Sequence, residues 1–513
     1  MVKRLLEEYK IKYCTMFIVG ILLYLPTITG RLGNPDAISI GYTVKRDYGW
    51  ENALGRYGLK VLAALKGYNI NPYISSVIAI GLLCISIVFV IDLFEVKKNY
   101  QMYIIAVVML SSIHIANGMT YYYCFDMYMF SMLLCTFAIW YATKVSNISS
   151  YIIPPIAIML SYTIYQAYIS VAIVLCMMVM ILKLMTEDVI KNLAILGVKY
   201  LCAGGVGTVG YLVLTKVYVA MTGMALAESR GFGTMGKISL GNIPRLIANA
   251  YREFANYYFG DGLVANWWAH KNLIHLIVVV VIVCSVIGYF VIDVFKNKKL
   301  DYRRLLLEMV MLLLLPVGFM VEEIIFPEVS IYESTGMLVL TSMNLLFVLA
   351  LLVVDKVKIE NKYVKLSINT LAGILICFMG WIGIVYVGIF QEYMANNIKV
   401  GTLMAQEVSE ELDKIENIQD YGVAIYGDPV WGMDEYEYIL KGTVAPYHIV
   451  WKSNIYGSGL VSFFYNYCNK NYRFVDWDRC NMINQNKSNM EIVYKSNSMN
   501  IYKDNEYVLV SLW

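Results

Sequence analysis

The residues best equipped for chemistry lie in one short stretch, Gly33 to Gly58, reading GNPDAISIGYTVKRDYGWENALGRYG. It carries Asp36, Arg46, Asp47, Glu51 and Arg56. A carboxylate can take a proton from a hydroxyl, which is the work of a general base. A guanidinium offers a planar fork of donors suited to phosphate. Plainer roles exist for each residue. Asp36 follows Pro35, where an aspartate commonly serves a turn or a helix cap. Arginines beside a membrane can simply reach for headgroups while their stems stay in apolar surroundings.

The surroundings of this stretch decide how it must be held. Of 513 residues, 59% are hydrophobic and 15% charged, against about 25% charged in soluble domains. The chain therefore reads as an all-α polytopic membrane protein. A net charge of +3 gives no electrostatic case for nucleic acid as a partner. Apolar windows fall at 13–29, 73–94, 102–117, 119–141, 150–163, 164–185, 192–220, 272–295, 304–326, 335–354 and 366–390, which predicts about eleven transmembrane helices. Two long stretches are read as pairs, split at Asn117-Gly118 and at Ser161–Gln166, because about 40 helical residues would reach roughly twice the hydrocarbon thickness. The first window follows a charged segment with no small-residue cleavage site, so it is expected to remain as a helix.

With the N-terminus in the cytoplasm, Lys97-Lys98, Lys144, Lys183 with Lys191, the Lys296–Arg304 cluster and Lys356 to Lys365 all fall inside, as the positive-inside bias requires. The segments 30–72 and 221–271 then become outer loops of a membrane domain spanning 1–390. Residues 391–513 are more polar and read as a small α/β extracytoplasmic domain. In it Gln391–Ile415 forms an amphipathic helix, Val423–Tyr426 a strand, and Met490–Trp513 a terminal hairpin turning at Lys503-Asp504-Asn505. Cys468 and Cys480, the two cysteines in a polar setting, are read equally as a disulfide or as free thiols.

Ionisable groups at membrane depth are costly and tend to be functional. In this topology they collect at the outer side. Asp126 lies beneath Tyr121-Tyr122-Tyr123, Tyr165-Gln166 opens a later helix, Glu322-Glu323 ends another, and Arg230 and Arg252 belong to loop 221–271. Simpler expectations stand beside these: a contact within the bundle for Asp126, interfacial solvation for Glu322-Glu323, an interfacial aromatic belt for Tyr121–Tyr123, and helix packing for Gly204-Gly205-Val206-Gly207. The amphipathic segment Ile243–Tyr258 suits a lid on the membrane surface. Histidines and cysteines show no zinc spacing. The residues call for no particular cofactor, and a divalent metal stays open.

In their order, these features resemble the bacterial serotype-converting glucosyltransferases, the glucosyl transferase type II family. The matching residues are Asp36, then Gly49-Trp50 and Gly55-Arg56, then Tyr165-Gln166-Ala167, within a many-helix core followed by a modest outer domain. The resemblance implies a GT-C-like fold in the bacterial plasma membrane and a donor of the polyprenyl-phosphate-sugar type. It implies transfer of a glucosyl or related hexosyl group to a polysaccharide or lipid-linked glycan at the outer face, with inversion. A separate donor synthase and a flippase would supply the donor. In that scheme Asp36, with Asp47 as second candidate, is catalytic. Arg46, Arg56, Tyr165, Gln166, Asp126, Glu322, Arg230 and Arg252 bind substrate. Family members often carry two adjacent acids here, whereas Pro35 precedes Asp36, which favours a single carboxylate base over a metal pair. The competing reading is a transporter or flippase of lipid-linked sugar. It would call for polar residues along a path to both faces, rather than gathered at one.

Overall fold

The computed structural model describes residues 2–34, 37–38, 48–186, 190–227, 239–259, 271–297, 301–325, 340–357, 359–427, 457–497 and 499–512. Apolar runs become helices because no lipid-buried backbone group can be left without a partner. In chain order they are α1 (Val2–Glu8), α2 (Lys10–Gly30), two short surface helices α3 (Gly49–Ala53) and α4 (Tyr57–Leu65), then α5 (Pro72–Leu93), α6 (Asn99–Leu110), α7 (Ile113–Met119), α8 (Phe125–Lys144), α9 (Ser149–Ile164), α10 (Ile169–Thr186) and α11 (Ile190–Thr222). There follow α12 (Ile243–Phe259), α13 (Lys271–Asn297), α14 (Tyr302–Phe319), α15 (Glu322–Ile325), α16 (Leu345–Lys356) and α17 (Lys362–Leu412).

Among the described residues, seven helices are long and apolar enough to cross a membrane, or eight if α6 and α7, bent by 51° at their junction, count as one span. The expected figure of eleven is thus not reached by length and composition; α9, with 16 residues, is among the shorter apolar helices. The expected break at Asn117-Gly118 falls just after them, over residues 120–124 between α7 and α8. Both residues sit inside α7, where Gly118 leaves room for the Phe125 ring, which a Cβ would meet at 2.0 Å. The chain also bends earlier, at Ser111-Ser112, where the Ser111 hydroxyl donates to the Gly380 carbonyl of α17 at 3.1 Å. The break near Ser161–Gln166 is present: Tyr165 is extended between α9 and a 3-10 turn over Gln166–Tyr168.

Basic residues of alternate loops meet at one end of the bundle. Lys98 pairs with Asp355 at 2.5 Å and Lys144 with Glu95 at 2.8 Å. Lys199 donates to the Val145 carbonyl at 2.6 Å and Arg304 to the Leu184 carbonyl at 2.6 Å. The opposite end gathers the first polar loop: Asn34 N–H donates to Thr120 O at 3.2 Å, Tyr122 hydroxyl to Ala37 O at 2.8 Å, and Ala227 N–H to Ala53 O at 2.9 Å. Tyr122 and Tyr123 are buried, and Tyr122 is bonded to that loop, so these two rings do not form an interfacial belt. Glycines of α11 divide by face. Gly207 and Gly210 lie against α9, whereas a Cβ added to Gly204 or Gly205 would meet nothing within 4 Å; of the three glycines in the run 204–207, Gly207 alone serves packing.

The expected amphipathic helix Gln391–Ile415 is not separate. It is the distal part of α17, 51 residues without interruption and about 76 Å long, which carries one buried stripe (Met394, Ile398, Met404, Val408, Leu412) out to the C-terminal unit. There β1 (Gly422–Tyr426), α18 (Gly457–Asn466), α19 (Trp477–Gln485), β2 (Glu491–Lys495), β3 (Met499–Lys503) and β4 (Tyr507–Leu512) form a sheet of order β1-β4-β3-β2. β1 runs parallel to β4; the other pairs are antiparallel. The expected hairpin is the β3–β4 pair, and its turn is closed by the Asp504 carboxylate accepting from the Glu506 and Tyr507 amides. β2 adds a third strand. Cys468 and Cys480 are free; the Cys480 thiol donates to the Ile425 carbonyl at 3.1 Å.

A Cβ on Gly207 would lie 2.9 Å from both Ile158 and the Pro155 carbonyl oxygen. Gly207→Leu is therefore expected to lower thermal stability in detergent by about 1–3 kcal/mol, while Gly204→Leu on the open face leaves the melting temperature close to that of the native protein.

Candidate functional site

Local chemistry shapes the site segment first. α3 ends after one turn, where Gly55 adopts a positive φ of 71° that other residues reach only with strain. The Gly55 amide donates to Asn52 O at 2.9 Å and the Arg56 amide to Glu51 O at 2.8 Å. α4 then departs at once, and Gly58 lets it lie directly on α9, since a Cβ there would sit 2.8 Å from the Thr163 carbonyl oxygen. This turn points Arg56 at the junction of α9 and α10.

The side chains then interlock. Arg56 Nε donates to Gln166 Oε1 at 3.1 Å, and Gln166 Nε2 donates to Leu54 O at 3.0 Å and to the Tyr211 hydroxyl at 2.9 Å. The Tyr211 hydroxyl in turn donates to Gly55 O at 3.3 Å. One glutamine amide thus uses both N–H groups and its carbonyl to join the loop, the α9–α10 junction and α11. Aromatic rings form the walls. The Arg56 guanidinium lies 4.5 Å from the Tyr165 ring centroid, a cation–π placement. Tyr128 stacks on Tyr165 at 4.3 Å, and Tyr162 on Tyr211 at 5.2 Å. Burial works against the Arg56 charge, but the fields of Tyr128, Tyr165, Glu51 and Tyr211 outweigh it and raise its pKa above the ordinary arginine value. Among the described residues, the two Nη groups of Arg56 take part in no hydrogen bond. The cation is anchored by Nε and presents its fork unused.

A second polar centre adjoins at the far end of α4. Lys66 Nζ contacts Asp126 Oδ2 at 2.6 Å, with Asp126 only 4% exposed. The pair places a cation at the end of α4 and an anion in the first turn of α8, as both helix dipoles favour. Asp126 is therefore bound into the bundle by Lys66, the plainer of its two expected roles, and Lys66 itself carries no signal in the sequence. Glu322 and Glu323 are buried, which corrects the expectation of interfacial solvation: the turn after α14 carries Glu322 inward beside Ser170. Arg252 stands apart, exposed on α12 and paired with Glu253 at 3.1 Å. α12 is amphipathic as expected, but it is packed into the bundle through Tyr257, whose hydroxyl meets His114 Nε2 at 2.8 Å, and through Tyr258, whose hydroxyl donates to Met343 O at 2.7 Å. Asp36, Arg46, Asp47 and Arg230 lie outside the described residues.

Of the sequence-derived candidates, the structure therefore brings Arg56, Tyr165 and Gln166 together. It adds Tyr128 and Tyr211, which had no role assigned from sequence, and Glu51, which stood out there only as one of the loop's charges. The period of the apolar runs gives no hint of which tyrosine faces the loop. A separate, mostly apolar cavity between α6, α13, α16 and α17 is lined by Ser111, Tyr257, His275, Asn344, Phe347 and Tyr386; it includes no sequence-derived site residue. No three metal-ligating side chains come together among the described residues.

A helical bundle with membrane-spanning helices and a polar centre built on the loop after its first long helix defines an integral-membrane protein with its site at one end of the bundle. A family model described as glucosyl transferase GtrII matches residues 36–341, more than half of the chain. The chain belongs to this family of serotype-converting glucosyltransferases, and its chemistry is glucosyl transfer. The match begins at Asp36 and takes in the Arg56–Gln166 network; it extends well beyond the first 190 residues that carry the sequence motifs. Comparison with curated proteins and with solved structures gives no match.

Two outcomes test the network. Gln166→Leu strips partners from Arg56 Nε and the Leu54 carbonyl, and is expected to cost about 1–3 kcal/mol and to speed proteolytic cleavage within 48–57. Lys66→Met strands the Asp126 carboxylate, with an expected loss of about 1–3 kcal/mol, less than for a fully buried pair because Lys66 is partly exposed. Adding Asp126→Leu in the same chain is expected to recover most of that loss in thermal unfolding.

Proposed function

We propose that this glucosyltransferase takes its glucosyl group from a polyprenyl phosphate at the outer membrane face and passes it to a hydroxyl of a polysaccharide or lipid-linked glycan. The observation that carries the reading is Arg56. Its Nε is fixed by Gln166 and its face by Tyr165, while its Nη edge is unbonded among the described residues. That is the form of a phosphate grip, and its position at the end of the bundle suits a donor whose phosphate sits at the interface while its chain stays in lipid.

In the proposed step, Asp36 accepts the proton of the acceptor hydroxyl as its oxygen bonds to the sugar's anomeric carbon. The bond from that carbon to the phosphate oxygen breaks, and the electron pair leaves with the polyprenyl phosphate. Arg56, with Arg46, offsets the charge on the departing group. A single displacement of this kind inverts the anomeric centre. Asp47 is the alternative base. Tyr165 and Gln166 act by holding Arg56, Asp126 and Glu322 shape the surrounding polar end, and Arg230 and Arg252 belong to the outer loop. The topology proposed with it has eleven crossings, the N-terminus in the cytoplasm and the C-terminal unit outside. The shared end of Lys98, Lys144, Lys199 and Arg304 supports that parity, since all four would face the cytoplasm.

Membranes carrying the protein, given polyprenyl-phosphate-glucose and cell-envelope glycan, are expected to form glucosylated product. At equal expression, Asp36→Asn is expected to lose transfer by about 100-fold or more, on the order of a removed general base, and Arg56→Lys to lower kcat more than it raises KM. Full activity in Asp36→Asn would move the base to Asp47; donor crossing between leaflets without product would replace transfer by transport.

A further inference from the structure

Asn52 is the least satisfied polar side chain of the site segment. It is 1% exposed, and neither its amide nitrogen nor its carbonyl oxygen has a hydrogen-bond partner among the described residues. A buried amide in that state costs free energy that folding could have avoided with a leucine. Buried polar groups are nearly always paired, so an orphan in a native structure calls for an explanation. The backbone of Asn52 is fully committed: its N–H donates to Tyr48 O at 2.9 Å and its carbonyl accepts from Gly55 at 2.9 Å. The main chain at this position is thus fixed, and only the side chain is left unpaired.

The position of Asn52 gives the orphan amide a meaning. It stands at the start of the tight turn that ends in Arg56, whose Nη fork is likewise unbonded among the described residues. Between Asn52 and Arg56 the chain therefore offers two sets of unused donors. One is cationic and suits a phosphate oxygen. The other is neutral, with two donors and one acceptor, and suits a pair of neighbouring hydroxyls, each able to give and accept. Ala53 beside it is covered by the segment leaving α11, through the Ala227 amide at 2.9 Å, so the backbone that closes over this turn is tied to α3 beside the amide itself.

We infer that Asn52 is a sugar-binding residue of this transferase, reading hydroxyls of the hexose whose phosphate is held by Arg56. The inference rests on the phosphate role proposed for Arg56. It makes the turn 52–56 a two-part reader of a hexose phosphate, with the sugar and the phosphate recognised by separate side chains. The energy forgone in folding is recovered when the sugar binds.

The test separates the two parts with small probes and purified full-length protein in detergent. Glucose 1-phosphate and inorganic phosphate are titrated against thermal unfolding. The native protein is expected to bind glucose 1-phosphate about tenfold more tightly than phosphate, the scale of one or two hydrogen bonds to hydroxyls. Asn52→Leu is expected to fold with an unchanged or higher melting temperature, to keep the phosphate response, and to lose the preference for the hexose phosphate. Asn52→Ala serves as the second variant and should lose it as well. Arg56→Lys is expected to weaken both probes. A native protein with no preference for the sugar phosphate, or an Asn52→Leu variant that keeps the preference, overturns the assignment of Asn52. Intact discrimination in a protein that does not turn over polyprenyl-phosphate-glucose would leave Asn52 in place and overturn the proposed donor alone.

Discussion

The Gln166 amide is the constraint on which the site depends. It is a single planar group with two donors and one acceptor, and all three are spent on different parts of the chain: Leu54 in the first polar loop, Tyr211 on α11, and Arg56 itself. Its partners are distant in sequence on both sides, 45 positions to Tyr211 and 112 to Leu54. Such a staple fixes the direction of Arg56 as well as its place, because the guanidinium must reach Gln166 through Nε while its carbon stays 4.5 Å from the Tyr165 ring centroid. What is left over is the Nη fork. A loop held by apolar packing alone would leave that fork free to turn; held this way, it is presented in one orientation.

Around that staple the bundle supplies rigidity at close range. The approach of α4 to α9 through Gly58, of α11 to α9 through Gly207, and of α17 to the α6–α7 bend through Ser111 and Gly380 all use small residues where backbones come near. In lipid, helices gain little from apolar burial against one another, so such close contacts and interhelical hydrogen bonds carry the association. The same economy explains the two ends of the bundle. Lysines and arginines at one end are tied to carbonyls and carboxylates of neighbouring loops, whereas at the other end Tyr122 and Tyr123 are buried and Tyr122 is bonded to the first polar loop.

The C-terminal unit is joined to this core by one unbroken element. Because α17 continues past the apolar window into the polar region, its buried stripe runs from the bundle to the sheet without a joint. Lys470 and Tyr472 add polar ties to Asp413 at the end of α17, at 2.5 and 2.7 Å. The family match ends at residue 341, before α16 and α17.

The sequence alone determined the class of the protein, because a chain this apolar and this poor in charge has one solvent available to it, and lipid permits helices. It determined the place of the polar loop, the strand Val423–Tyr426 and the β3–β4 turn, each of which rests on residues adjacent in the chain. The ordered motifs around Asp36, Arg56 and Gln166 named the family for the same reason. The tertiary structure alone decided which groups meet. Lys66 against Asp126, Tyr128 and Tyr165 beneath Arg56, and Glu322 beside Ser170 join residues remote from one another in the chain, and no local pattern records such a pairing. It also decided the extra bend at Ser111-Ser112 within one span, and the use of Gly118 as packing space under Phe125. The unpaired state of Asn52 belongs to the same category: an amide in a polar loop reads as solvated from its type, and only the fold shows that it is buried without a bonding partner among the described residues.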